Sequence, residues 1–215
     1  MSFRIHHQTP YYSQTAHDSI EKRSQEEWDA YKYCSAVKAG TLNGYCTLPG
    51  GQRLDMSNVG LARQRFGAFL SELLAGKGDA YLVPVPSKDS FDKPEFRSLA
   101  MLREALPNMQ NRLLPIVRFA VKRTQASQGG QRGYDAVHPF LKVQPVVVKR
   151  RVVIIDDILT SGGSMLATRR RLVDAGHQVL FAVVCGRTTW TKLSAFSSGW
   201  EDAQESAKQV DLLAG

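Results

Sequence analysis

Two adjacent carboxylates, Asp156 and Asp157, sit between four β-branched residues, Val152 to Ile155, and a Thr-Ser-Gly-Gly-Ser turn, Thr160 to Ser164. These residue types suit a phosphorylated sugar. A phosphate needs several converging donors, and the turn offers backbone N–H groups and the hydroxyls of Thr160, Ser161 and Ser164. A helix N-terminus behind them adds the positive end of a dipole. Gly162 and Gly163 let the backbone approach a ligand without a Cβ in the way. The carboxylates have a different task, since beside a phosphate they would repel it. They accept hydrogen bonds from neutral hydroxyls, as an acidic residue does for ribose in dinucleotide-binding folds. A sugar that spaces its phosphate from its hydroxyls fits both halves.

Such a site needs a rigid frame, and the chain supplies the pattern for one. Val152 to Ile155 reads as a strand buried on both faces. The turn leads into a helix with Met165, Leu166, Leu172 and Val173 on one side and Gly176 as its stop. Upstream, Val59 to Leu74 predicts an amphipathic helix with Ala62, Phe66, Phe69, Leu70 and Leu73 on one face, capped by Ser57 or Asn58. Ala80 to Pro86 reads as a strand, and Pro94 to Leu106 as a helix. Thr41 to Leu48 and Leu113 to Val121 are further strand candidates, the second weakened by Pro115. Phe140 to Val143 suggests a short return strand and Val179 to Val184 a buried one. A weakly patterned helix is expected near 18–38, and an amphipathic helix near Glu201 to Leu213. Strands alternating with helices predict an α/β fold with a mainly parallel central sheet flanked by helices.

Other chemistries end strands in aspartates, but they fit less well. A receiver domain gives no reason for Thr-Ser-Gly-Gly-Ser, and a haloacid dehalogenase-like phosphatase places its aspartates two apart. No Gly-Lys-Ser/Thr follows the strand, which excludes a Walker A loop. The stretch from Val152 to Ser164 resembles the binding signature of the type I phosphoribosyltransferases. That resemblance implies a Rossmann-like fold with a small hood region. It implies that Asp156 and Asp157 hold the ribose 2′- and 3′-hydroxyls of phosphoribosyl pyrophosphate, directly or through Mg²⁺. It further implies that Thr160, Ser161, Gly162, Gly163 and Ser164 cradle the 5′-phosphate, with Ser164 standing where many members have Thr.

The same resemblance implies a pyrophosphate loop after the Ala80–Pro86 strand, with backbone amides exposed by an unusual peptide bond beside a basic residue. Ser87 and Lys88 occupy that place. The polar segment 123–137 matches in position the flexible hood of this enzyme class, and Arg123, Gln125, Gln128 and Arg132 are its candidate contacts to the leaving group. Val-Pro-Val-Pro from Val83, Lys-Arg-Thr-Gln from Lys122 and Ile-Ile-Asp-Asp-Ile-Leu-Thr-Ser-Gly from Ile154 together resemble the ComF-type, competence-associated members. The N-terminal cysteine cluster that such members often carry is missing, and Tyr134-Asp135 stands where the hood usually has Asn.

The chain has 215 residues, 43% of them hydrophobic, enough for one α/β core. We expect residues 1–50 to form an N-terminal extension or hood, 51–187 the phosphoribosyltransferase core, and 188–215 a C-terminal extension with a helix. No stretch reaches the ~20 apolar residues of a bilayer span. No secretory h-region follows Met1, so a cytoplasmic location is the default expectation. Cys34, Cys46 and Cys185 form no Cys-x-x-Cys pair, arguing against a disulfide framework or zinc site. The net charge of +8, with clusters at Lys149–Arg151 and Arg169–Arg171, suits a polyanionic small molecule or a nucleic-acid surface.

The reaction expected from the resemblance is displacement at C1′ of phosphoribosyl pyrophosphate by a nitrogen acceptor, a nucleobase in the first instance. Mg²⁺ would neutralise the departing pyrophosphate, Lys88 and Arg132 would add charge stabilisation, and Asp156 and Asp157 would position the sugar. Trp28, Tyr45, Trp190 and Trp200 are the residues able to stack a planar base. The competing reading is a non-catalytic nucleotide sensor or a nucleic-acid-binding, competence-linked protein on the same fold. A homodimer is a further possibility that the resemblance raises.

Overall fold

The computed structural model describes residues 2–12, 23–122, 133–189 and 194–204. Its centre is a five-stranded sheet in the order β4-β7-β8-β1-β9. The strands are β1 (Ser2–Tyr11), β4 (Tyr81–Pro84), β7 (Arg151–Leu159), β8 (Gln178–Thr188) and β9 (Gly199–Gln204). Pairings β4·β7, β7·β8 and β8·β1 are parallel, and β9 closes the β1 edge antiparallel. The fold is α/β with a mainly parallel sheet flanked by helices, as the alternating pattern predicts.

Strand β7 shows why this sheet is covered on both sides. Val153 and Ile155 enter one core with Phe66, Leu70, Met101 and Leu102. Val152 and Ile154 enter the other with Met165, Leu172 and Val117. The first layer is built from α1 (Gln25–Ala39), α2 (Gly60–Leu74) and α3 (Arg97–Ala105). The second consists of α5 (Gly163–Asp174), the short α4 (Tyr134–Val137) and a ribbon of β5 (Val117–Phe119) with β6 (Leu141–Val143). A second hairpin pairs β2 (Tyr45–Thr47) with β3 (Arg53–Asp55) beside α1.

Several elements depart from expectation for local reasons. Residues 2–11 form an inner strand, with Phe3 and Ile5 buried and Arg4 exposed; the two histidines and Pro10 mask this alternation in the sequence. Glu201 to Gln204, expected to start a helix, belong to β9. Trp200 and Asp202 are exposed there while Ala203 is buried, a period of two; the remainder of that expected helix, 205–215, lies outside the described residues. The sheet thus takes one strand from each expected extension.

The Leu113–Val121 candidate divides at Pro115. Leu114 N–H donates to Leu82 O at 2.8 Å along β4, and only Val117–Phe119 enters the ribbon. Proline has no N–H to continue a ladder. Neither Ser57 nor Asn58 caps α2; both instead bond Asp55, which caps a preceding 3₁₀ turn. Among the described residues, no helix is long and apolar enough to cross a membrane.

Candidate functional site

The carboxyl ends of the parallel strands all point to one edge, and the sequence-predicted acids lie there. Asp157 is buried and Asp156 half-buried at the end of β7. Their backbone geometry is fixed locally: Asp157 N–H donates to Asp156 Oδ1 at 2.8 Å, and Ile158 N–H to Asp157 Oδ1 at 2.7 Å. Burial, followed by the adjacent Asp157 carboxylate, pushes Asp156 up to about 8, against the pull of Lys38, Arg97 and the Asp157 N–H.

The turn that follows leads into a helix start with no capping side chain. Gly162 takes the left-handed conformation, φ 71° and ψ −6°, and stands at the N-cap of α5 with no side-chain cap. α2 and α3 likewise start without a capping side chain, whereas in α1 Ser24 and Glu27 form a reciprocal capping box. A helix start left without a capping side chain presents its first N–H groups outward, where an anion can take them. Thr160 is exposed, Ser161 and Ser164 half-buried, and Gly162 and Gly163 buried.

Gly163 serves a second purpose. A Cβ on it would lie 2.5 Å from the Gly133 carbonyl carbon and 2.7 Å from Tyr134 N. The backbone entering α4 therefore packs against the first residue of α5. Arg123 and Arg132, expected on the segment just upstream, lie outside the described residues, as does Trp190. The flanks of that segment are firm: β5 pairs with β6, and Ala120 N–H donates to Phe140 O at 2.8 Å.

The expected pyrophosphate turn lies beside β7. Val85 N–H donates to Ile155 O at 2.8 Å, so Pro86, Ser87 and Lys88 leave the sheet next to the acids. Ser87 is half-buried and Lys88 exposed. Ser87 Oγ donates to Asp89 Oδ1 at 2.5 Å, and Arg118 fastens the following loop through the carbonyls of Ser90, Lys93 and Pro94. The unusual peptide bond implied here is absent: among the described residues every peptide bond is trans.

Two cations that sequence reasoning passed over reach the acids. Lys38 Nζ lies 3.6 Å from Asp157 Oδ1, and an Arg97 terminal nitrogen lies 3.8 Å from Asp157 Oδ2. Lys38 lies in the last turn of α1 and Arg97 begins α3. Buried Arg63 braces this arrangement from α2. Its Nε donates to Val37 O at 2.9 Å, and its guanidinium meets Glu104 of α3 at 2.6 Å. Nothing in the sequence around Lys38 or Arg97 signals this role, because it depends on where two helix ends meet.

The stacking candidates separate. Trp28 packs edge-on against Tyr31, which stacks on Tyr11 at the end of β1. Tyr45 lies on the β2–β3 hairpin under Arg53, and exposed Trp200 lies on β9 under Arg4. Among the described residues no three His, Cys, Asp or Glu side chains gather to hold a metal. Two neighbouring carboxylates do suit a Mg²⁺ ion, which commonly takes one or two carboxylates and completes its shell with substrate phosphates and water.

No protein-family model and no curated protein matches the chain. Solved structures do. An adenine phosphoribosyltransferase matches at 17% identity with a TM-score of 0.43, over 72% of this chain and 89% of its own. The orotate phosphoribosyltransferase of Mycobacterium tuberculosis matches at 18% and 0.36, over 74% and 96%. A phosphoribosyltransferase from Corynebacterium diphtheriae matches at 19% and 0.35, over 73% and 81%.

Proposed function

We propose that the protein is a phosphoribosyltransferase. It binds phosphoribosyl pyrophosphate and transfers the phosphoribosyl group to a nitrogen acceptor, a nucleobase first among the candidates, with release of pyrophosphate. The observation that carries this reading is the end of β7. There, two acids run into a left-handed glycine and a helix start that no side chain caps.

Thr160 to Ser164 and the first amides of α5 take the 5′-phosphate. Asp157, joined by Asp156 once the bound ligand and its cation displace the Asp156 proton, accepts from the ribose hydroxyls and stabilises positive charge developing at C1′, as carboxylates do for an oxocarbenium-like transition state. Ser87 and Lys88 lie on the β4 flank of the acids and take the pyrophosphate. Arg123 and Arg132 are proposed as further contacts to it. Mg²⁺, held by Asp156 and Asp157 together with the substrate, would neutralise charge on the departing group. The finer assignment to the ComF-type members, with its link to DNA uptake, rests on the motifs between residues 80 and 185.

Pyrophosphate release in the presence of Mg²⁺, phosphoribosyl pyrophosphate and a panel of nucleobases tests the proposal. We expect turnover with at least one base and a loss of about 100-fold or more in Asp157→Asn, the scale of effect that loss of substrate positioning produces. Tight ligand binding without turnover, together with salt-sensitive DNA affinity, would identify a binding module instead.

A further inference from the structure

The two cations on Asp157 have a consequence for which ligand the site accepts. Neither ion pair is a tight hydrogen bond: the distances are 3.6 and 3.8 Å. Both cationic side chains stay accessible, Lys38 39% and Arg97 51% exposed, whereas the Asp157 side chain is 10% exposed. The acid is fixed and its partners can move. They also come from separate elements, the last turn of α1 and the first residue of α3. Arg97 is tethered toward the expected pyrophosphate turn as well, since its backbone N–H donates to Asp89 Oδ2 at 3.3 Å. That same Asp89 accepts from Ser87.

For Asp157 to receive a sugar hydroxyl, it must give up part of its hold on these cations. A pentose 5-phosphate offers them nothing in return, because its one phosphate goes to the α5 turn. Two positive charges would then stand beside a neutral C1′ position, at an electrostatic cost. A pentose that also carries a pyrophosphate at C1′ re-pairs both. We propose that Lys38 and Arg97 are the selectivity residues of this site. They release Asp157 only to a ligand that brings its own anion at C1′, so the pocket takes phosphoribosyl pyrophosphate and rejects ribose 5-phosphate. This inference rests on the phosphoribosyl reading above and adds the ligand discrimination to it.

Calorimetric titration with Mg²⁺ present measures both ligands against the wild type, Lys38→Met, Arg97→Met and Lys38→Arg. The wild type should prefer phosphoribosyl pyrophosphate by about 100-fold or more. Each Met variant should lose about tenfold of that affinity, equivalent to about 1.4 kcal/mol, and bind ribose 5-phosphate as well as the wild type or better. Lys38→Arg, which keeps the charge, should retain the preference. An equal loss for both ligands would overturn the inference, since the cations would then only shape Asp157; no loss for either would overturn it too. A wild type that binds neither ligand would defeat the phosphoribosyl reading itself, a different result from the two just named. The variants lie on different helices, so one that fails to melt cooperatively leaves the other to decide.

Discussion

Asp156 and Asp157 are consecutive, yet their surroundings treat them differently. Asp157 has Lys38 and Arg97 beside it, while Asp156 is pushed up to about 8 by burial and by its neighbour's charge. In the unfolded chain Asp156 titrates near the ordinary value of about 3.9. Between these values the folded protein keeps a proton that the unfolded chain has released. The contribution of this group to stability is therefore fully present below about pH 4 and is lost as pH rises through about 8. Asp156→Asn removes the slope. Thermal melts should show the variant more stable than the wild type at pH 8 and the two converging toward pH 4. Parallel curves for the two proteins would show that Asp156 is ionised in the folded state.

At the scale of elements, the meeting of α4 with α5 is the tightest backbone approach around the turn. Gly163→Ala would drive a Cβ to 2.5 Å from the Gly133 carbonyl carbon, backbone that can yield only by moving the start of α4. We expect a cost of about 1–3 kcal/mol in stability, the usual scale for overpacking. Affinity for phosphoribosyl pyrophosphate should drop by about tenfold, because Gly163 opens α5, the proposed phosphate cradle, and the clash would push it and Gly133 apart. Denaturant unfolding and titration read the two effects. The sequence announced this turn well. Its residues lie in one contiguous run, where local chemistry and β-branched patterning agree. It also announced α2, β4, α3 and the β5–β6 return, whose apolar spacing is regular. It did not announce β1, where His6, His7 and Pro10 interrupt the alternation, nor β9, where six residues gave too short a period to read. Lys38, Arg97 and Arg63 were invisible for another reason. A lysine near the end of one helix and an arginine at the start of another acquire meaning only once α2 has brought those ends together.

At the scale of the whole molecule, the site ties distant pieces into one ligand. The proposed phosphate turn belongs to β7 and α5, the proposed pyrophosphate turn to β4, and the two cations to α1 and α3. A ligand that bridges all of these is held by the native arrangement alone. At 100 times its dissociation constant it would add about 2.7 kcal/mol, which for a chain of this size raises the melting temperature by about 5–10 °C. Differential scanning fluorimetry with Mg²⁺ and phosphoribosyl pyrophosphate checks this, and a shift reproduced by pyrophosphate alone would place the binding energy outside the sugar cradle. The order of the strands has one more consequence, concerning how the molecule is made. β1 occupies an interior lane, and its side chains meet β8 partners such as Gln8 with Cys185, 177 positions along the chain. During synthesis β1 must remain without its β8 partner until the segment 177 positions farther along has emerged from the ribosome. A nascent chain halted before β8 thus cannot close its sheet, because β1 has no parallel partner until β8 is present.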